Sequence, residues 1–146
     1  MNRTYQNEYL RRIAIDCVIE QLELRGETVI RARSVDRHDI TIKDKDIKVR
    51  VKFSKPVKRS RTTCSCWEFI KVMHVSRLWP RNIFDSYILV GFNSNDIVEK
   101  IWKILVGDDI IYRKNQLFIP INDYSIYNEY ELDMLINDSS SFRWVD

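Results

Sequence analysis

The sequence predicts a single α/β domain with a mixed central β-sheet flanked by helices. Apolar residues near the start recur at helical spacing, whereas apolar residues after Gly26 recur at every second position. The predicted order is a helix, three strands, a polar loop and then further strands, which is typical of an α+β or mixed α/β domain. A chain of 146 residues can bury one core of ordinary size, so residues 1–146 are interpreted as one domain.

The first predicted element is a helix with one apolar face. Gly26 follows it at the position where a left-handed residue ends a helix at low cost. The residues near helical spacing are Leu10, Ile13, Ala14, Cys17, Val18, Gln21 and Leu22, of which Gln21 is the polar exception.

Residues 47–53 form the clearest predicted strand. Val49 and Val51 point to one side, and Lys48, Arg50 and Lys52 to the other, so one face is expected to be buried and the other polar. This strand is expected to pair with 38–43 through a tight turn at 43–46. The other predicted elements are strands at 27–34, 67–75, 85–92, 98–106 and 115–121, a loop at 54–65, and a short helix at about 127–137.

Charge is unevenly distributed along the chain. Residues 43–62 contain nine Lys or Arg against two Asp, and the tail 122–146 contains six acidic residues against Arg143. A basic segment of this kind favours a polyanionic partner such as nucleic acid. The alternative is a solvated strand edge that uses lysines against aggregation.

Several site classes find no support in the sequence. Glycine occurs only at positions 26, 91 and 107, which excludes a phosphate-binding loop or a dinucleotide fingerprint. Cys64 and Cys66 have no second cysteine pair, so a metal site there would need Cys17 or His74, and structural thiols are the simpler interpretation. His38 and His74 are interpreted as surface or satisfied residues rather than catalysts. The odd number of cysteines, with no membrane span and no export signal, predicts a cytoplasmic protein.

Two polar residues stand at positions that suggest a family. Asp39 opens the second strand, and Lys52 lies thirteen residues later on the third. A strand with Trp67 and Phe69 follows, and then the strand 85–92. This order resembles the PD-(D/E)xK nuclease superfamily, the restriction-endonuclease-like fold that includes archaeal-type Holliday junction resolvases, over about residues 10–121. The resemblance implies a DNA substrate, Mg²⁺ or Mn²⁺ bound by Asp39, a water-orienting role for Lys52, and possible homodimers.

The sequence departs from that family pattern at two positions. Arg50 stands where the third strand would carry the acidic metal ligand, and Ile15 stands where many members carry a helix glutamate. Arginine donates hydrogen bonds only and cannot bind a metal. We therefore expect an ion pair of Asp39 with Arg50 or Lys52 in place of the metal. A carboxylate could instead reach in from elsewhere; Glu68 is the first candidate, and the others are Glu20, Asp36, Asp44 and Asp46.

Three functions remain open from the sequence. The leading hypothesis is a nuclease-fold protein that binds DNA, or less favourably RNA, without a working metal site. Its contacts would come from a basic stripe formed by Lys48, Arg50, Lys52, Lys55, Lys58, Arg59 and Arg61. The second hypothesis is an active Mg²⁺-dependent endonuclease that uses Asp39, Lys52 and Glu68. The third is a protein-interaction module or the inactive partner subunit of a nuclease.

Overall fold

The structure is a computed structural model, and it describes residues 3–33, 38–58, 65–70, 72, 85–106, 116–121 and 125–135. The helix α1 spans Arg3–Leu24. The strands, in chain order, are β1 Val29–Arg31, β2 Ile40–Ile42, β3 Ile47–Ser54, β4 Pro56–Lys58, β5 Ser65–Ile70, β6 Ser86–Phe92, β7 Val98–Leu105 and β8 Gln116–Pro120. Short 3₁₀ helices occupy Lys43–Lys45 and Ser125–Tyr130.

The strands form two sheets. The larger has the order β1-β2-β3-β6-β7, and the smaller has the order β4-β5-β8. Strands β3 and β6 are parallel, with Val51 opposite Ile88, and the other neighbours in both sheets are antiparallel. The predicted mixed sheet and α/β class are confirmed.

The larger sheet lies between two hydrophobic cores. On one face, Leu10, Ala14, Val18 and Leu22 of α1 pack against β2, β3 and β6. On the other face, the smaller sheet packs against β6 and β7, and Trp67, Phe69, Leu117 and Ile119 contribute to that core. The smaller sheet therefore covers a face of the larger sheet that was predicted to be flanked by helices.

The β2–β3 hairpin forms as predicted. Ile40 pairs with Val49 and Ile42 with Ile47, and the connection is the 3₁₀ turn Lys43–Lys45. Asp46 closes the turn in the left-handed conformation with φ 50°, which aspartate tolerates better than most residues. Val49 and Val51 are buried, so the predicted alternation along β3 is confirmed.

Two predictions of local structure are wrong. Part of the predicted loop 54–65 is the strand β4, in which Pro56 is the first residue, a position where proline is tolerated. The predicted tail helix at 127–137 is a 3₁₀ helix that ends at Tyr130. Beyond it the chain becomes extended and pairs with β7, since Glu131 bridges Trp102 and the Leu132 N–H donates to the Ile101 carbonyl at 2.8 Å.

Gln21 of α1 forms two hydrogen bonds with Leu135 in this segment. Its side chain is 5% exposed, and its amide donates to the Leu135 carbonyl at 3.1 Å. Its amide oxygen accepts from the Leu135 N–H at 2.7 Å. Gln21, the polar exception on the apolar face of α1, therefore pairs with the backbone of Leu135 as a neighbouring strand would.

We expect Gln21→Leu to lower the free energy of unfolding by about 1–3 kcal/mol, because two hydrogen bonds are lost from a buried amide. The Leu135 amide should exchange its hydrogen faster. Native-state hydrogen exchange measures both effects. Gln21→Glu is the matched control, since it retains an acceptor for the Leu135 N–H and should show a smaller change; equal protection in all three proteins would contradict the assignment.

Among the described residues, no helix is long and apolar enough to cross a membrane.

Candidate nucleic-acid interface

Asp39 is held at the start of β2 by hydrogen bonds to β3. Its N–H donates to the Val49 carbonyl at 2.8 Å, and its Oδ2 accepts from the Val51 N–H at 2.7 Å. Because β2 begins at Ile40, the carboxylate supplies the acceptor that the ladder does not provide to Val51. Asp39 is 6% exposed, so this acceptor matters for stability.

Two arginines surround the Asp39 carboxylate. Arg11 of α1 forms a salt bridge to Oδ1, and Nε of Arg50 lies 3.9 Å from Oδ2. The predicted proximity of Arg50 to Asp39 is present. Arg11 was missed, because it is 28 residues away in sequence and reaches Asp39 only through the packing of α1 on the sheet.

A cleft of about 530 Å³, here the Lys52 cleft, opens between the start of α1, β3 and β5. Lys52 and Arg50 line it together with Glu68, so the structure brings these three predicted residues to one place. The other polar lining residues are Asn7, Glu8 and Arg11. Glu68 reaches the cleft from the second sheet, which the sequence prediction did not include.

A smaller pocket of about 160 Å³, here the Arg33 pocket, shares Arg11 with the Lys52 cleft. Arg31 and Arg33 line it from the end of β1, and His38 and Asp39 line it from the start of β2. Arg11 lines both cavities, so the two form neighbouring parts of one surface.

The basic stripe is divided in the structure. Lys48 and Lys58 are exposed, on β3 and β4 respectively. Lys55 forms a salt bridge of 2.8 Å with Asp96 in the β6–β7 turn, and it does not line the Lys52 cleft. Arg59 and Arg61 lie outside the described residues, and their predicted role stays a prediction.

The donor groups around Asp39 do not fit the metal site that the resemblance implies. Magnesium is bound in proteins mainly through carboxylate oxygens, but one oxygen of Asp39 is bound by Arg11 and the other by the Val51 N–H, and Arg50 lies where the resemblance implies a second carboxylate. Within the described ranges, no three His, Cys, Asp or Glu side chains are close enough together to hold a metal ion.

The other carboxylates considered lie elsewhere. Asp44 and Asp46 are exposed in the turn at the far end of the β2–β3 hairpin, and Glu20 lies in a separate depression beside Arg31. Asp36 is outside the described residues.

The described thiols are not arranged as a metal site. Cys66 is buried in β5, and Cys17 is half-buried on α1. Burial, together with the nearby Glu20 charge, raises the pKa of the Cys17 thiol above its usual value, which disfavours the thiolate that metals bind. Cys64 and His74 lie outside the described residues.

Comparison with known proteins supports the fold. No protein-family model matches the chain, and no curated protein sequence matches it. Among solved structures, the chain is similar to a bacterial homing endonuclease, I-Ssp6803I, with a TM-score of 0.55 and 17% sequence identity over 82% of each chain. At this identity the likeness shows a nuclease-like fold.

Proposed function

We propose that this chain is a nuclease-fold protein that binds nucleic acid at the Lys52 cleft without a metal ion. The observation that supports this most is the placement of Arg11 and Arg50 on either side of Asp39. In the resemblance to PD-(D/E)xK nucleases, a metal ion would stand beside this carboxylate and neutralise a phosphate. Two guanidinium groups can provide that positive charge themselves.

The chemistry of arginine suits this role. A guanidinium has five N–H donors, and a carboxylate engages only part of them. Asp39 therefore orients Arg11 and Arg50, and guanidinium groups held in this way can also donate to phosphate oxygens. Lys52 adds a third cation to the same cleft, and Lys48 is an exposed cation further along β3.

The cleft also contains negative charge. Glu8 and Glu68 line it together with the three cations Arg11, Arg50 and Lys52. Binding should thus be of modest strength and should depend on the phosphate backbone rather than on base identity.

We expect the protein to bind DNA at least as tightly in EDTA as in Mg²⁺, with an affinity that falls steeply with salt. The double variant Arg50→Gln/Lys52→Gln should bind more weakly. It should also reduce the slope of log K against log salt by about 1.8 on duplex and about 1.4 on single strands, as expected for two lost phosphate contacts. Fluorescence anisotropy on single-stranded, duplex and branched DNA and on RNA measures this.

Arg12→Gln/Lys43→Gln is the matched control for that experiment. Both residues are exposed, and neither lines the Lys52 cleft. The control removes one arginine and one lysine charge, as the test variant does. An equal loss of slope in both double variants would show that only net charge matters, and the cleft would be the wrong site.

The same samples test the alternative function. Cutting of any substrate with Mg²⁺ or Mn²⁺, abolished by Glu68→Gln, would make the protein an active endonuclease and overturn the proposal. Arg50→Glu would restore the acidic position of the family pattern, and tighter Mn²⁺ binding by that variant would support the alignment of β3. No nucleic-acid binding, together with stable co-purification of another protein, would favour an interaction module or an inactive partner subunit.

A further inference from the structure

We propose that the Arg33 pocket binds a phosphate group of the nucleic-acid strand that occupies the Lys52 cleft. This inference rests on the proposed function, which it extends by a second anion site. Neither Arg31 nor Arg33 belongs to the predicted basic stripe.

Positive charge dominates the pocket. Three guanidinium groups, from Arg11, Arg31 and Arg33, line it together with the imidazole of His38. Among the described residues that line it, the single carboxylate is that of Asp39, which is already bound by Arg11 and the Val51 N–H. Planar guanidinium groups match the oxygen spacing of a phosphate better than any other side chain.

The ion pair of Arg31 can give way to an anion. Arg31 forms a salt bridge with Asp16, but the two side chains are 58% and 54% exposed. A pair so open to water contributes little stability and can exchange for a better partner. His38 is held in place through its Nε2, which lies 3.0 Å from the Thr41 hydroxyl oxygen.

The size of the pocket selects the kind of ligand. Its volume of about 160 Å³ is that of about five water molecules in the liquid. This space suits one phosphate group. The pocket is therefore expected to hold a phosphate without reading sequence.

The position of Arg11 links the pocket to the cleft. Because Arg11 lines both cavities, a strand bound along Arg50 and Lys52 can place a neighbouring phosphate in the Arg33 pocket. That phosphate is either an internal phosphodiester or the terminal phosphate of a strand that ends there.

Inorganic phosphate is the first probe, because it tests the pocket without nucleic acid. Titration followed by NMR should give saturable shifts of the arginine side-chain N–H groups and of the His38 ring. Arg31→Gln/Arg33→Gln should weaken this binding by about tenfold or more, as expected for lost hydrogen bonds to charged groups. Arg12→Gln, an exposed charge on α1 outside the pocket, should leave it unchanged.

Oligonucleotides with and without a 5′ or 3′ phosphate then identify the source. Tighter binding of a phosphorylated end, lost in Arg31→Gln/Arg33→Gln, assigns a terminal phosphate. Equal binding of phosphorylated and unphosphorylated oligonucleotides, with a reduced salt slope in Arg31→Gln/Arg33→Gln, assigns an internal phosphodiester.

The two proposals fail in different ways. No saturable effect of inorganic phosphate, or the same effect in the pocket variant, overturns the phosphate site. If Arg31→Gln/Arg33→Gln binds nucleic acid with unaltered affinity and salt slope, the role of the Arg33 pocket in strand binding is overturned. This holds even if Arg50→Gln/Lys52→Gln shows that the Lys52 cleft binds nucleic acid. Saturable phosphate binding in a protein with no affinity for nucleic acid would overturn the proposed function and leave a phosphate pocket with another ligand.

Discussion

Trp67→Ala is expected to lower the free energy of unfolding by about 3–5 kcal/mol, as for other large aromatic residues removed from a core. Trp67 is 1% exposed and lies between the two sheets, where it packs edge-on against Trp102 at a centroid distance of 5.2 Å. Its indole N–H donates to the Phe92 carbonyl at 2.8 Å, which connects β5 directly to β6.

Chemical unfolding followed by circular dichroism measures this effect without relying on tryptophan fluorescence. Ile70→Ala is the control on the same strand, since Ile70 is 50% exposed and should change stability by no more than about 0.5 kcal/mol. A similar loss in both variants would mean that the smaller sheet does not pack on the larger one as described.

Gly91 provides the complementary evidence for this packing. A Cβ at position 91 would lie 2.7 Å from Cε2 and 2.9 Å from Nε1 of Trp67, so only glycine lets the indole rest on β6. In a double-mutant cycle, Gly91→Ala should be less harmful when Trp67 is already alanine.

The helix α1 and the strand β3 were predictable because the spacing of apolar residues within each segment indicates its structure. The spacing of Leu10, Ala14 and Val18 predicts α1, and the alternation around Val49 and Val51 predicts β3. The division into two sheets was not predictable in this way. Alternation shows which face of a strand is apolar but does not show which strand pairs with it, so Trp67 gave no sign that it belongs to a second sheet.

The site was predicted to the extent that it lies within one hairpin. Asp39, Arg50 and Lys52 are close in sequence, and strand register brings them together. Arg11, Arg31 and Arg33 join them through packing across α1 and β1, which no short motif encodes. A helical-spacing argument could have indicated Glu8, Arg11 and Ile15, since residues three and four apart share a face beside the apolar stripe.

Asp39→Ala is expected to destabilise the protein by about 1–3 kcal/mol, because the buried Val51 N–H loses its acceptor. The lost pair with Arg11 adds little, since the Arg11 side chain is 40% exposed and can be hydrated. Asp39→Asn retains an acceptor oxygen for Val51 and should be less destabilised. Chemical unfolding of the two variants separates the hydrogen bond from the charge.

The same pair of variants separates the binding function from the enzymatic one. If Arg11 and Arg50 contact phosphates directly, Asp39→Asn removes an opposing negative charge and should raise DNA affinity about two- to fivefold. This corresponds to the roughly 0.5–1 kcal/mol of a partly exposed charge pair. A metal-dependent nuclease would instead lose its activity in both variants, because each removes a ligand charge. Unchanged DNA affinity of a folded Asp39→Asn protein would contradict direct phosphate contacts by Arg11 and Arg50, because neither the lost opposing charge nor the lost orienting partner would then affect binding.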